Sequence, residues 1–505
     1  FIGEDVARAQ DTVLARAPIP GMDGPDFSDR SPWGVPAFFR GSASSGELAW
    51  NRYRELRGQL DMSVGGPRGD VYFGAEVSRQ RVQTFQRVLG YLWVGDSVPP
   101  PAASDFSPTA AAVYVEGQAH GHDFVATFGL RYDQFDPGTD LPGAHIGARR
   151  SLNPRLGFST MLRGATIVVS WGRFSQAPDF QYLVDAAFDD TLRTGRFRRG
   201  NPNLGFEDAT QYELSVRARP SASTTLRVNV FNKLLDGLVA SVPLGLDADS
   251  SIFGNLDFGS VKGAEVIFDR PFVDGWGVRV AYTLQQATAT ATDAFELLRR
   301  IRLDPAGDTI DPARVEFPLD YDRRHSLTVI AQGRVSDSAG PRLLAGFEAA
   351  AIVRWSSGLP FTMTNATGDT LIGLPNSHRL PPQRTVDMLL RRRLRLGGWQ
   401  GSVYLDVRNL FNRRNIEAVR RDTGEPDLGE PQLAALAEQA YQAHPEAIPY
   451  ESSRYRSFAD TDGNGLIEGR GELYPLFLAA ARDYAQPLFS FGPPRMFRLG
   501  IELVF

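Results

Sequence analysis

Apolar and polar residues alternate in run after run along this chain, with the period of two that marks a strand carrying one greasy face and one mixed face. Phe124, Ala126, Phe128, Leu130 and Tyr132 interleave with Val125, Thr127, Gly129, Arg131 and Asp133. Tyr212, Leu214, Val216 and Ala218 interleave with Glu213, Ser215, Arg217 and Arg219, and Leu226, Val228 and Val230 follow with Arg227 and Asn229 between them. The chain finishes in the same way, with Phe497, Leu499, Ile501, Leu503 and Phe505 on one side of the last strand. Each run is about ten residues long, the length a tilted strand needs to cross a bilayer.

The connections alternate too. Short turns are read at 65–69, 163–164, 220–223, 272–275 and 396–398, and long ones at 88–109, 135–153, 177–207, 236–254, 291–321, 363–383 and 421–490. A soluble sandwich has no reason to keep its short turns at one end. A barrel in an outer membrane does, with short periplasmic turns and long extracellular loops. The expected fold is therefore all-β: a transmembrane antiparallel barrel portion of about 15 strands, running from near Gly46 to Phe505. Residues 1–45, rich in glycine and carrying Pro18, Pro20, Pro25, Pro32 and Pro36, read as the tail of a preceding extracellular loop. The strand count by alternation leaves the first strand without an upward partner. Because bacterial single-chain barrels have even strand numbers, the chain is expected to be the C-terminal part of a larger barrel.

Composition narrows the alternatives. The net charge of -5 is too balanced for a nucleic-acid binder. Cysteine is absent, which removes disulfides, thiolate metal sites and cysteine nucleophiles together. No run of 18 apolar residues is present, so a membrane-spanning form has to be a barrel, in which every backbone group is paired. No signal peptide is visible ahead of Phe1. One strand breaks the pattern: Val386, Met388, Leu390, Leu394 and Leu396 share a face with Arg392, which is expected to snorkel to head groups near the turn at Gly397.

At this point the chain resembles the barrel domain of TonB-dependent outer-membrane receptors, in particular the Oar-like, carboxypeptidase-regulatory-domain type. The residues that carry the resemblance are Gly129–Asp133, Asn153–Phe158, Trp171–Phe180, Asn201–Leu204 with Glu207, Asp322–His325, Ser357–Phe361 and Asp406–Asn412, with the strand ending at Phe505. The resemblance implies a barrel of about 22 strands with a plugged lumen in the outer membrane of a Gram-negative bacterium. It also implies uptake of an extracellular ligand, energised by a TonB-type partner that acts through a region preceding residue 1. Neither a plug nor an energy-coupling box is found in the chain. The resemblance further implies that Phe505, Leu503 and Ile501 form the signal read by the barrel-assembly machinery.

The chemical candidates are few. Residues 460–472 read as a calcium loop, with oxygen ligands from Asp460, Asp462, Asn464 and the Leu466 carbonyl, and with Glu468 at the ninth position. The twelfth position is Gly471, and the acid arrives one residue late at Glu472. Helical periods flank the loop, so 421–490 is expected to be an extracellular helix–loop–helix insert held by a structural Ca2+. Loop aromatics and cations, namely Phe174, Phe180, Tyr182, Arg196 and Arg198, are the candidates for ligand binding, while an interfacial aromatic girdle explains them equally well. His120 and His122 fall at a short turn, whose polarity accounts for them. No G-x-S-x-G elbow or P-loop appears, and no enzyme activity is expected. The leading reading is a receptor and transporter bathed in outer-membrane lipid. The alternative is a barrel for surface assembly or adhesion, with 421–490 as its contact module.

Overall fold

In the computed structural model, residues 46–89, 102–139, 145–184, 197–243, 250–296, 302–303, 309–310, 314–336, 345–365, 371–396, 399–449, 460–464, 466–485 and 490–504 are described. Fifteen long strands are found among them: β1 (Gly46–Gly66), β2 (Gly69–Leu89), β3 (Thr109–His120), β4 (Phe124–Asp136), β5 (Arg149–Leu162), β6 (Ala165–Gln176), β7 (Glu207–Ser221) and β8 (Thr224–Pro243). These are followed by β9 (Ser250–Val273), β10 (Trp276–Ala289), β11 (His325–Arg334), β12 (Phe347–Ser356), β13 (Gln383–Leu396), β14 (Trp399–Arg408) and β15 (Met496–Val504). With three short strands they make one 18-stranded sheet. From β2 onward each long strand pairs antiparallel with the next one in the chain.

Register gives the sheet two distinct faces. Ala126, Phe158, Val169, Leu214, Val230, Ala264 and Leu284 stand opposite one another across seven neighbouring strands. One residue along, on the other face, the row reads Thr127, Gly157, Ser170, Glu213, Phe231, Gly263 and Gln285. Slipping any strand by one residue exchanges the rows, so a uniform apolar row fixes the register. On the last strand Leu499 and Ile501 keep 72% and 70% of their surface uncovered.

Two of the short turns have the chemistry a two-residue hairpin needs. Arg163 and Gly164 (φ 50° and 79°) join β5 to β6, and Asp274 and Gly275 (φ 52° and 84°) join β9 to β10. Positive φ at both central positions matches the right-handed twist of the flanking strands. The expected long loop at 236–254 is corrected by the structure. β8 runs on to Pro243 and β9 begins at Ser250, with a bulge between Leu235 and Val239 where Gly237 has φ 65°. One extra residue on β8 is followed by one on β9, which restores the register and lets pairing continue where a reading by alternation alone sees a strand ending.

Arg392 stands directly opposite Phe347, and its guanidinium lies 5.2 Å from the centre of that ring. The expectation was a side chain reaching away to head groups. The cross-strand ring supplies a nearer partner for the charge.

Chain contacts divide the molecule into two units. One holds residues 51–85, 102–415 and 492–505; the other holds 1–50, 86–101 and 416–491. Within the second, helices α1 (Glu430–Ala443) and α2 (Gly469–Ala485) lie between β14 and β15 in sequence. They bury Ala437, Ala440, Leu473, Leu476, Phe477 and Ala480 in a core of their own. Arg470 clamps Glu438 through two hydrogen bonds of 2.8 and 2.7 Å, and Arg482 reaches Glu430 at 2.9 Å.

Candidate functional site

The polar face carries chains of ion pairs. Glu348 accepts from Arg334 at 2.7 Å and lies 2.6 Å from Arg393. Asp387 is 2.7 Å from Arg354 and 3.8 Å from Arg408, which also holds Asp406 at 2.9 Å. Arg391 pairs with Glu502 at 3.2 Å, and the Ser402 hydroxyl donates to the same carboxylate. Such a wall suits water or a hydrated ligand and excludes a second apolar layer.

At the long-loop ends of the strands, the quoted motifs become knots of buried polar bonds. Asp322 is fully buried, accepts from the Ala287 amide at 2.9 Å, and forms an ion pair with Arg379, which also donates to the Asp322 carbonyl. Gly358 passes so close to Leu380 that any Cβ there collides with its carbonyl. Asn376, at φ 55°, donates to the Pro318 carbonyl at 2.8 Å and to Asp320 at 2.6 Å. Asn409 accepts from the Arg413 amide and donates to the Pro493 carbonyl at 3.0 Å, and Asn412 accepts from the Arg495 amide. In Asn201–Leu204, Asn201 donates to the Phe253 carbonyl at 2.6 Å. These motifs shape loops. Arg379 carries no local sequence signal, because its partner lies 57 residues away.

Of the five ligand candidates, the side chains of Phe174, Phe180 and Tyr182 are among the described residues. Phe174 lies beneath the Arg155 guanidinium, 4.5 Å from the ring centre. Phe180 meets Phe106 edge-on at 6.0 Å, and Tyr182 packs on Phe253 at 4.9 Å, within a core that also holds Leu183, Leu204 and Val239. Burial pushes the Tyr182 phenol up from its ordinary value. Phe180 and Tyr182 are half-buried, each with one side packed against this core and the rest uncovered. The alternation of the sequence does not reveal that 102–106 and β9 converge on them. Arg198 lies in a short strand parallel to the start of β9, but its side chain is outside the described residues, as is Arg196 altogether.

In the insert, one carboxylate oxygen from each of Asp460, Asp462 and Glu472 lies within 4.8 Å of the other two. Glu468 is outside this group and accepts from the Asn464 side-chain amide at 3.2 Å. Asn464 Oδ1 accepts from the Leu466 amide at 2.8 Å, and Asp460 accepts from the Gly463 amide at 2.7 Å. Glu472 ties the loop to α2. It accepts from the Thr461 hydroxyl at 2.6 Å, the Glu468 amide at 3.0 Å and the Thr461 amide at 2.7 Å. These bonds, the hydroxyl first, push its carboxyl down to about 2. At the other end of the chain, Ile501 is exposed on the apolar face opposite Val403; the Leu503 side chain and Phe505 are outside the described residues.

An antiparallel sheet of transmembrane-length strands, greasy on one face and ion-paired on the other, defines a wall segment of a membrane β-barrel. The family model for the TonB dependent receptor-like β-barrel matches residues 17–410, and the chain belongs to that family. Members are receptors of the outer membrane of Gram-negative bacteria, not enzymes. No curated protein matches the sequence. Among solved structures, the chain is similar to the outer membrane transporter YddB from Escherichia coli: 10% identity, TM-score 0.52, with 74% of this chain and 52% of that chain covered. It is also similar to a mutant ferric enterobactin receptor (PfeA) from Pseudomonas aeruginosa in complex with enterobactin: 16% identity, TM-score 0.50, with 72% and 50% covered. The chain thus spans about half the length of the solved proteins it matches.

Proposed function

We propose that the protein of which this chain is the barrel wall takes up an extracellular ligand across the outer membrane, energised by a TonB-type partner. The observation that carries this reading is the ion-paired face of β11–β15 set against a largely apolar face, within a family named for that coupling. A wet wall has a use when something hydrated passes it. Phe174, beneath Arg155, and the half-buried Phe180 and Tyr182 are candidates for ligand contact, together with Arg196 and Arg198. Ile501, Leu503 and Phe505 are proposed as the assembly signal.

The test is genetic. Deleting the gene and deleting the energy-coupling partner are expected to produce the same growth defect on the same limiting nutrient. A defect that persists in the receptor deletion while coupling is irrelevant favours the second reading, a surface-assembly barrel whose helix pair is a contact module.

We also propose that 460–472 holds a Ca2+ ion as a structural staple. Support comes from the three converging carboxylates, whose mutual repulsion a hard cation relieves. Limited proteolysis of the full-length protein reads this out: EDTA is expected to speed cleavage within 421–490, and Ca2+ to restore resistance. Equal cleavage rates in both conditions defeat the idea.

A further inference from the structure

Towards the short-turn end of β2–β6, the apolar face contains a groove of about 860 Å3. Its floor is made by Gly117, Ala119 and Ala126, which bring almost no side chain to the surface. A Cβ built on Gly117 meets no atom within 4 Å, so the space above it is open. The walls are large: Phe128, Phe158 and Trp171, with Phe158 stacked on Phe124 at 5.8 Å. Register places Gly117 opposite both Val71 and Phe128, so the depression lies on the face that meets hydrocarbon.

Arg68, in the turn between β1 and β2, stands at the mouth. It is exposed, and among the described residues its guanidinium has no carboxylate partner. A planar fork of donors at the membrane edge recognises a phosphate. A greasy channel with one cation at its interfacial end complements a molecule having the same polarity along its length.

We propose that this groove binds a net-anionic glycerophospholipid of the leaflet at the short-turn end, with an acyl chain lying over Gly117, Ala119 and Ala126 and its phosphate held by Arg68 in preference to that of a zwitterionic lipid. The site depends on the sheet facing a bilayer and is independent of which ligand the receptor carries. It differs from ordinary lipid contact in depth and in having a fixed head-group position.

Trp171 lines the groove and reports on it. The full-length protein is reconstituted in dioleoylphosphatidylcholine vesicles with a trace of phosphatidylglycerol brominated in its acyl chains. The Trp171 signal is taken as the difference between the wild type and W171F. Quenching is expected above the random-mixing value, with loss of that excess when Gly117→Leu and Ala119→Leu fill the floor. Arg68→Gln is expected to weaken enrichment of the trace lipid while leaving quenching in fully brominated vesicles unchanged. Random-mixing quenching in the wild type, or an excess that survives the filled floor, overturns the site. So does a groove shielded by a second copy, seen as a dimer that the filled floor disperses. Absence of all tryptophan quenching in fully brominated vesicles is a different failure, because it removes the membrane itself.

Discussion

Glu472 shows how much one carboxylate organises. Its folded-state carboxyl sits at about 2, below the ordinary 4.5, so its contribution is present above pH 4.5 and is lost as pH falls towards 2. Hydrogen exchange is expected to find the amides of Thr461 and Glu468 protected from neutral pH down to about 5, with protection declining below that. Glu472→Gln should lower protection at neutral pH and flatten the acid dependence. An acid profile identical in both proteins rules out Glu472 as the cause. Arg392 poses the opposite question, a charge on a greasy face. With Phe347 beneath it and the strand end near, Arg392→Leu is expected to change stability by no more than about 1 kcal/mol in urea unfolding from vesicles. A gain of several times that figure places Arg392 near the bilayer centre instead.

At the scale of elements, the loop ends are held by buried polar bonds in place of a large core. Asp322 links β10 to the segment bearing Arg379, and removing the partly exposed Arg379 leaves the fully buried carboxylate without its closest cation. Arg379→Ala is expected to cost on the order of 3 kcal/mol, measured as a fall in the urea midpoint of the reconstituted protein. Ser357–Phe361 depends on Gly358 for a different reason, the close passage of Leu380. Gly358→Ala should therefore lower the folded yield even though it adds only a methyl group. Unchanged folding in both variants means these loops do not bear on barrel stability.

For the whole molecule, the question is which medium covers the apolar face. Ile501 lies on it, 70% exposed, on the strand proposed to guide assembly. Across Val403 it shares a row with Arg392, so Ile501→Arg is expected to cost no more than about 1 kcal/mol. Leu214, at the middle of β7 between Val169 and Val230 on the same face, is the sharper probe: Leu214→Arg is expected to cost about 2–4 kcal/mol and to reduce the heat-modifiable folded fraction in the outer membrane. Wild-type assembly of the Leu214 variant means that the face does not meet hydrocarbon there. Much of this architecture is legible in the sequence, because the side-chain period of a strand is two and the medium on each side selects the residues: Phe158, Val169 and Leu214 against Gly157, Ser170 and Glu213. The helical periods at 431–441 and 472–484 are read with equal directness and recur as α1 and α2. By itself, then, the sequence determined the strands, their two faces, the helical insert and the carboxylates of 460–472. Tertiary structure alone decided that Phe180 and Tyr182 pack against Phe106 and Phe253, that Asp322 meets Arg379, that Phe347 receives Arg392, and that Gly117, Ala119 and Ala126 leave a groove. The reason is distance along the chain. Alternation is a local property, whereas each of these outcomes depends on which remote strand or loop is brought alongside.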